Sequence, residues 1–538
     1  MCNKLVRVFF CILLTLSLIG CGNVRSADND EEEQAVANGE RDSISKSNEE
    51  LAKQYGATII ELSDSQIFVD DKSVSKEDTD AVYVANDIVF YLEGQDFTYG
   101  EGAKEDEHSQ EEADAHTVLY ITQPGNYVVS GSLSKGQIAV DLGEDAKKDE
   151  EAVVTLILNN ADITCEVAPA VIFYDVYECG SKDEEDASKD VDTSNAGANV
   201  IIADGSTNNV NGSYVAKIYE SVELSDDGTE IVDSKKLHKY DAAFYSKRSM
   251  NIDGEEENTG VLNIKADNEG LDTELHLTIN GGNINITSGN DGINTNEDGI
   301  SVTTINGGFV NIVVDGGTKE GDGIDSNGWL VINGGSVTAA ACAFSMDAGI
   351  DSDMGIHING GTVLATGNML DEIADSIQNY VVFTFDSAQK TGTSYELKNA
   401  DGNIVGTWNP VNDFSMLVFS GADLQTGIYT LYKEGELLSV QEANGMRGGK
   451  GGMIGEKRPK IPQDGEMPDA KLSGEDVVVP EKNPMMKPDG EWENLDEIPM
   501  GERPQDKGEF GKDVSMGETV SEFELKDGGN IFRVVLAE

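Results

Sequence analysis

Basic residues are scarce in this 538-residue chain: 38 Lys and Arg stand against 100 Asp and Glu, for a formal charge of −62. A polyanion of that strength excludes nucleic acid and anionic membrane surfaces as partners. Aromatics make up 7% of the chain while Gly reaches 59 residues, a balance that fits small, corner-rich units. Cysteine is sparse too. Cys2, Cys11 and Cys21 lie in the first residues, which leaves Cys165, Cys179 and Cys342. No spacing among them fits zinc. Cys165 and Cys179 are candidates to pair in an exported protein, which spacing alone does not decide. Cys342, between Ala339 and Phe344, reads as a small core residue. The apolar run Val8–Ile19 is too short for a comfortable membrane span.

What the chain does have is a Gly-Gly pair that returns at a nearly fixed interval. It stands at Asn280-Gly281-Gly282, Asn306-Gly307-Gly308, Asn333-Gly334-Gly335 and Asn359-Gly360-Gly361, with steps of 26, 27 and 26 residues. Alternating Leu277, Ile279, Ile284 and Ile286 flank the first pair, and Val331, Val337, Ile356 and Ile358 flank later ones. Two-residue periodicity around a Gly break reads as short strands joined by tight corners. A unit of about 26 residues holds roughly three strands and three corners. The expectation is therefore an all-β fold, a right-handed parallel β-helix solenoid with a small C-terminal antiparallel β cap. A propeller blade needs a longer period of about 40–45 residues.

A second motif runs in phase with the first: Glu269-Gly270-Leu271-Asp272, Asp291-Gly292-Ile293-Asn294, Asp322-Gly323-Ile324-Asp325 and Asp347-Ala348-Gly349-Ile350-Asp351. Rungs stacked about 4.8 Å apart turn matching positions into ladders. One ladder would hold Asp272, Asn294, Asp325 and Asp351, and a neighbouring one Glu269, Asp291 and Asp322. Carboxylates at that spacing repel by roughly 3–4 kcal/mol at an effective dielectric near 20, and by about 1 in water. Between Ser249 and Gly367 the only cations are Lys265 and Lys319. Oxygen ligands without a cationic partner favour Ca²⁺, so Glu269, Asp272, Asp291, Asn294, Asp322, Asp325, Asp347 and Asp351 are the candidate metal ligands. Alternatively, these residues shape corners through side-chain to backbone bonds.

The ends divide the chain further. Lys4 and Arg7 precede the apolar run, which ends at Leu18-Ile19-Gly20-Cys21. That tetrad resembles a bacterial lipobox, which implies a signal peptide over 1–20 and a lipid anchor on Cys21. The protein would then be exported and held on the outer face of the bacterial cytoplasmic membrane, at the cell surface. Residues 21–56 read as a flexible tether, 57–367 as the solenoid and 368–445 as the cap. The Gly-, Pro- and Met-rich stretch 446–512 reads as a disordered linker, and 513–538 as a terminal β-hairpin joining the cap. Acidic inserts at 101–114, 143–151 and 181–192 read as solvated loops.

Gly125-Asn126-Tyr127-Val128-Val129-Ser130-Gly131, Thr155–Thr164, Ala203–Val210 and Asp241–Ser246, with the Asp-Gly-Ile and Asn-Gly-Gly rungs, resemble a known family over roughly Ala57 to Gly367. It is the carbohydrate-binding parallel β-helix family of bacterial surface proteins, similar in fold to pectate lyases. The resemblance implies Ca²⁺ and a polysaccharide partner, cellulose or acidic pectic chains; a monomer is expected. Ala348 departs from the usual acidic position and puts the last metal site in question. Trp329 is a candidate to stack on a pyranose or to seal a corner. Lys319 is the other ligand-binding candidate, or else a solvated loop charge.

Catalysis is not expected. A lyase on this fold needs a Lys or Arg base, for which the repeat offers only Lys265 and Lys319. A hydrolase needs two carboxylates about 6.5–9.5 Å apart, one of them with a raised pKa, and the abundant carboxylates lack a distinctive partner. A structural adhesin rigidified by Ca²⁺ and bound to a surface protein is the alternative that stays open.

Overall fold

The computed structural model describes residues 45–374, 376–444 and 515–536. The expected signal peptide 1–20, the anchor at Cys21, the tether up to residue 44 and the linker 446–512 lie outside the described residues. Among those described, no helix is long and apolar enough to cross a membrane. The protein is all-β, with few helices and mixed sheets.

The repeat region resolves into three ladders of parallel strands, taken in turn by the chain. Strands 250–254, 277–279, 302–305, 329–332 and 356–358 form the first. Strands 261–266, 283–288, 309–314, 336–340 and 362–367 form the second. Strands 242–246, 269–273, 293–295 and 324–326 form the third. Earlier strands continue each ladder toward the N-terminus, and 125–133 and 154–165 are long enough to pass from the first to the second. The β-branched alternation has its expected effect: Leu262, Ile264, Ile284, Ile286, Val310 and Ile312 are buried in one continuous core.

The Asn-Gly-Gly motif is a corner. Its second glycines, Gly282, Gly308, Gly335 and Gly361, have φ of +88°, +80°, +76° and +80°, the left-handed region that penalises a Cβ. The preceding asparagines stack: Asn306, Asn333 and Asn359 each donate Nδ2–H to the Oδ1 of the asparagine one rung earlier, at 2.9 Å. Gly292 in the acidic motif is needed for a different reason, close approach. A Cβ there would run into Ile312 and sit 2.5 Å from the Gly323 carbonyl oxygen. Gly292→Ala is therefore expected to cost about 1–3 kcal/mol in denaturant unfolding; wild-type stability would contradict so tight a stack.

Two differences from expectation have physical causes. The tether expected to run to residue 56 ends earlier, because Asn48–Tyr55 is a helix with a Ser47–Glu50 capping box and Gly56 at its C-cap. Its Leu51 is buried with Val128, Ile157 and Ala203. Buried Glu255 accepts bonds from Lys46 Nζ (2.7 Å), Gln54 Nε2 (3.0 Å) and the Tyr55 hydroxyl (3.0 Å). Second, the terminal segment is not a hairpin around Asp527-Gly528-Gly529-Asn530. Strand 523–525 pairs with 427–429, whereas 529–535 pairs with 380–385 and 439–442. Strand 529–535 lies between two partners and so pairs on both sides, which leaves no edge of it for 523–525. Between rungs, Val215–Leu224 and Ile231–Tyr240 form a long antiparallel ribbon.

The cap follows the repeat at strand 414–420, which pairs antiparallel with 362–367 and with 380–389. Its own core gathers Phe383, Phe385, Tyr395, Trp408, Phe414, Phe523 and Phe532, so the sparse aromatics are concentrated where a layered core has to be filled. Cys165 and Cys179 do not pair; both are free and buried, as is Cys342.

Candidate metal and carbohydrate site

The third ladder carries the acidic motif in register. Asp272 lies opposite Asn294, and Asn294 opposite Asp325, as their spacing predicts. Gly270, Gly292 and Gly323 N–H groups bond to the carbonyls of Asp291, Asp322 and Ala348, which carries the stack across these positions.

Two groups of carboxylates result. Asp241, Glu269 and Asp272 bring ligand oxygens within 4.8 Å of one another, all three residues buried; Asp322, Asp325 and Asp351 do the same. In the first group Asp272 is 0% and Glu269 6% exposed. Burial, with the charges of Asp272 and Asp241, pushes the Glu269 carboxyl well above the ordinary range. Burial and Asp241 do the same to Asp272. In the second group, burial and the charges of Asp351, Asp291 and Asp325 raise Asp322 to about 9.

The hydrogen bonds of the first group stop short. Asn294 Nδ2–H donates to Glu269 Oε1 (3.2 Å) and Asn296 Oδ1 (3.1 Å), and Asn296 donates to Asp272 Oδ1 (2.7 Å). The remaining oxygens, Glu269 Oε2, Asp272 Oδ2 and Asn294 Oδ1, are buried and accept no hydrogen bond. Three such acceptors in one place are costly unless something positive meets them. One cation does reach the edge of the group: Lys239 Nζ, at the end of the ribbon, lies 2.6 Å from Asp241 Oδ2. It comes from outside the repeat, where no search of the rungs alone would find it. The donors are all oxygen, so both groups fit a hard metal ion.

The other candidates divide between the two roles considered for them. Asp291 Oδ1 accepts the Asp322 N–H (2.6 Å), Asp322 Oδ1 the Ala348 N–H (2.5 Å), and Asp347 Oδ2 the Gly321 N–H (2.7 Å). These carboxylates fasten one rung to the next, which is the corner-shaping role. Asp291 and Asp347 join neither group. Lys319 is exposed at φ 73° in the corner before Asp322, and half-buried Trp329 opens the strand after Asp325. Lys265 is exposed on the second ladder. Asp241 was missed because Ala242-Ala243 follow it where the motif has an acidic residue and Gly.

A layered, all-β stack with buried carboxylate groups along one edge defines the class. The chain belongs to the family of carbohydrate-binding domain-containing proteins, whose model matches residues 115–404. Comparison with curated proteins gives no match. A solved structure of a polysaccharide lyase-like protein from C. thermocellum, a gadolinium derivative, is 18% identical. The match covers 60% of this chain and 92% of that one with a TM-score of 0.31, too slight a likeness to bear on function.

Proposed function

We propose that this protein is an exported, Cys21-anchored lipoprotein that binds plant cell-wall-type polysaccharide through Ca²⁺ held on a right-handed parallel β-helix, without catalysing a reaction. The cyclic order of the three ladders supports the β-helix, and parallel crossovers are almost always right-handed. The observation that carries the metal reading is the trio of buried oxygens on Glu269, Asp272 and Asn294 that accept no hydrogen bond. Glu269, Asp272 and Asp241, with Asn294 beside them, would hold one ion, and Asp322, Asp325 and Asp351 another. When bound, Ca²⁺ supplies open coordination positions to sugar hydroxyls or uronate carboxylates.

Binding is favoured over lysis by the state of Lys239. Burial lowers its pKa, but the charge and hydrogen bond of Asp241, with Glu269 and Asp272 behind, more than reverse the effect. In the metal-free protein Lys239 is thus held as an ammonium paired with Asp241, a poor proton acceptor. Calorimetric titration with oligogalacturonate is expected to give saturable heat with Ca²⁺ and much less in EDTA. No heat with any glycan in either condition, with Ca²⁺ still raising the melting temperature, would move the assignment to a structural adhesin.

A further inference from the structure

A cleft of about 620 Å³ opens at the N-terminal end of the stack, between the turn after strand 58–62 and the corner Leu133–Lys135. We propose that it is a second glycan subsite, one that takes a uronate-bearing stretch of polysaccharide; the proposal rests on the polysaccharide-binding reading above.

The volume falls within the range of sites that enclose small ligands. Gln66, Asn86 and Thr117 line it with amide and hydroxyl groups suited to sugar hydroxyls. Its charged lining is Lys76, Lys135 and Asp64, a basic balance on a chain with 100 acidic and 38 basic residues. The Asp64 carboxylate is already engaged, accepting the Ser134 N–H and hydroxyl, each at 2.7 Å. Lys135 meets Glu166 at 2.8 Å, with side chains 49% and 59% exposed. So open a pair is worth little, and a ligand carboxylate can replace Glu166. An anion repelled elsewhere by the protein's charge is accepted here, since charges beyond about 8 Å are screened at physiological salt.

Position links the cleft to the carboxylate groups. Ile138 lies opposite Val171, Val171 opposite Phe244, and Phe244 opposite Leu271. The corner at Ser134–Lys135 therefore occupies the place that Asp267–Asn268 takes three rungs on, about 14 Å along the stack at ~4.8 Å per rung. The ribbon 215–240 leaves the stack at this same corner, one rung before Asp267–Asn268, so a glycan that meets both passes around it. The wall from Ser63 to Asn86 precedes the family-matched residues 115–404, so the cleft is built largely by sequence outside that match.

The test uses the full-length protein and oligogalacturonate, with a neutral cello-oligosaccharide as the second probe, each in Ca²⁺ and in EDTA. In EDTA, Lys76→Ala/Lys135→Ala is expected to weaken oligogalacturonate roughly tenfold, the loss of two charge-assisted contacts. The Ca²⁺-induced rise in melting temperature should be unchanged, and Lys76→Arg/Lys135→Arg should retain affinity. Equal affinity of the alanine variant and the parent overturns the subsite while leaving the Ca²⁺-dependent binding in place. Equally tight, lysine-independent binding of the neutral probe also overturns it. Failure of the parent to bind any glycan in either condition overturns the reading beneath it.

Discussion

Calcium in hundredfold excess over its dissociation constant raises the unfolding free energy by about 2.7 kcal/mol for each site filled, and EDTA removes the gain. The expectation follows from the unsatisfied oxygens of Glu269, Asp272 and Asn294 and from the mutual repulsion that pushes the Glu269 and Asp272 carboxyls upward. An ion that binds only the native arrangement converts both costs into stabilisation. Mg²⁺ should do less, because it demands near-octahedral geometry and keeps its waters. Glu269→Gln/Asp272→Asn should remove one site's share and leave that of Asp322, Asp325 and Asp351. Lys239→Ala gives a sharper contrast. Its ammonium sits 2.6 Å from Asp241 Oδ2, so its loss should weaken the metal-free protein and tighten Ca²⁺ binding. Thermal unfolding across a Ca²⁺ series checks all of these. A melting temperature indifferent to Ca²⁺ would show that the two groups are structural only.

The stack itself was legible because its signals repeat. A Gly-Gly corner every 26 or 27 residues and an acidic motif in phase with it place Asp272, Asn294 and Asp325 on one ladder, where the backbone pairs them. What repetition could not show is whatever enters once. Asp241 belongs to the first carboxylate group but precedes an Ala-Ala pair, and Lys239 arrives on a ribbon inserted between rungs. The ribbon had a local signal, Asp227-Gly228 between alternating strands with Gly228 at φ +72°, but nothing in it repeats. The helix at 48–55 likewise carried a capping box at Ser47 and Glu50 within a stretch whose charge read as tether. Composition describes a segment's average, whereas a cap and one buried leucine decide its structure. The separation of Asp291 and Asp347 from the metal groups was also beyond pattern. Carboxylates at equivalent corners differ in what they meet: Asp291 and Asp347 fasten backbone N–H groups, whereas Asp322 accepts such a bond and also joins a carboxylate group, as the neighbouring rung dictates.

Without metal, stability should fall as pH rises from 7 to 8, the reverse of the usual behaviour of carboxylates and above the range in which the lowered pKa values of His116, His238 and His276 add stability with pH. The sign follows from Asp322, whose carboxyl is raised to about 9 by burial and by Asp351, Asp291 and Asp325, against an unfolded value of about 3.9. The native state holds this proton more tightly than the unfolded chain. The stabilisation is fully present below the unfolded pKa and is lost as pH climbs through the folded one. Each proton so held makes the loss about 1.4 kcal/mol between pH 7 and 8. Glu269, Asp272 and Asp291 are displaced in the same direction, which steepens the slope. Saturating Ca²⁺ should flatten it, since the ion takes the place of the protons and binds the ionised groups better at higher pH. Asp322→Asn separates the charge from the fold. Asparagine keeps the oxygen that accepts the Ala348 N–H while removing the charge. The variant should therefore be more stable than the parent at pH 8 in EDTA and less stable in Ca²⁺. Urea unfolding at pH 7 and pH 8, with and without the ion, contains the whole comparison. Metal-free stability that is flat or rising over that interval would mean that these carboxylates are ionised in the apo protein, with water in place of the cation that their geometry calls for.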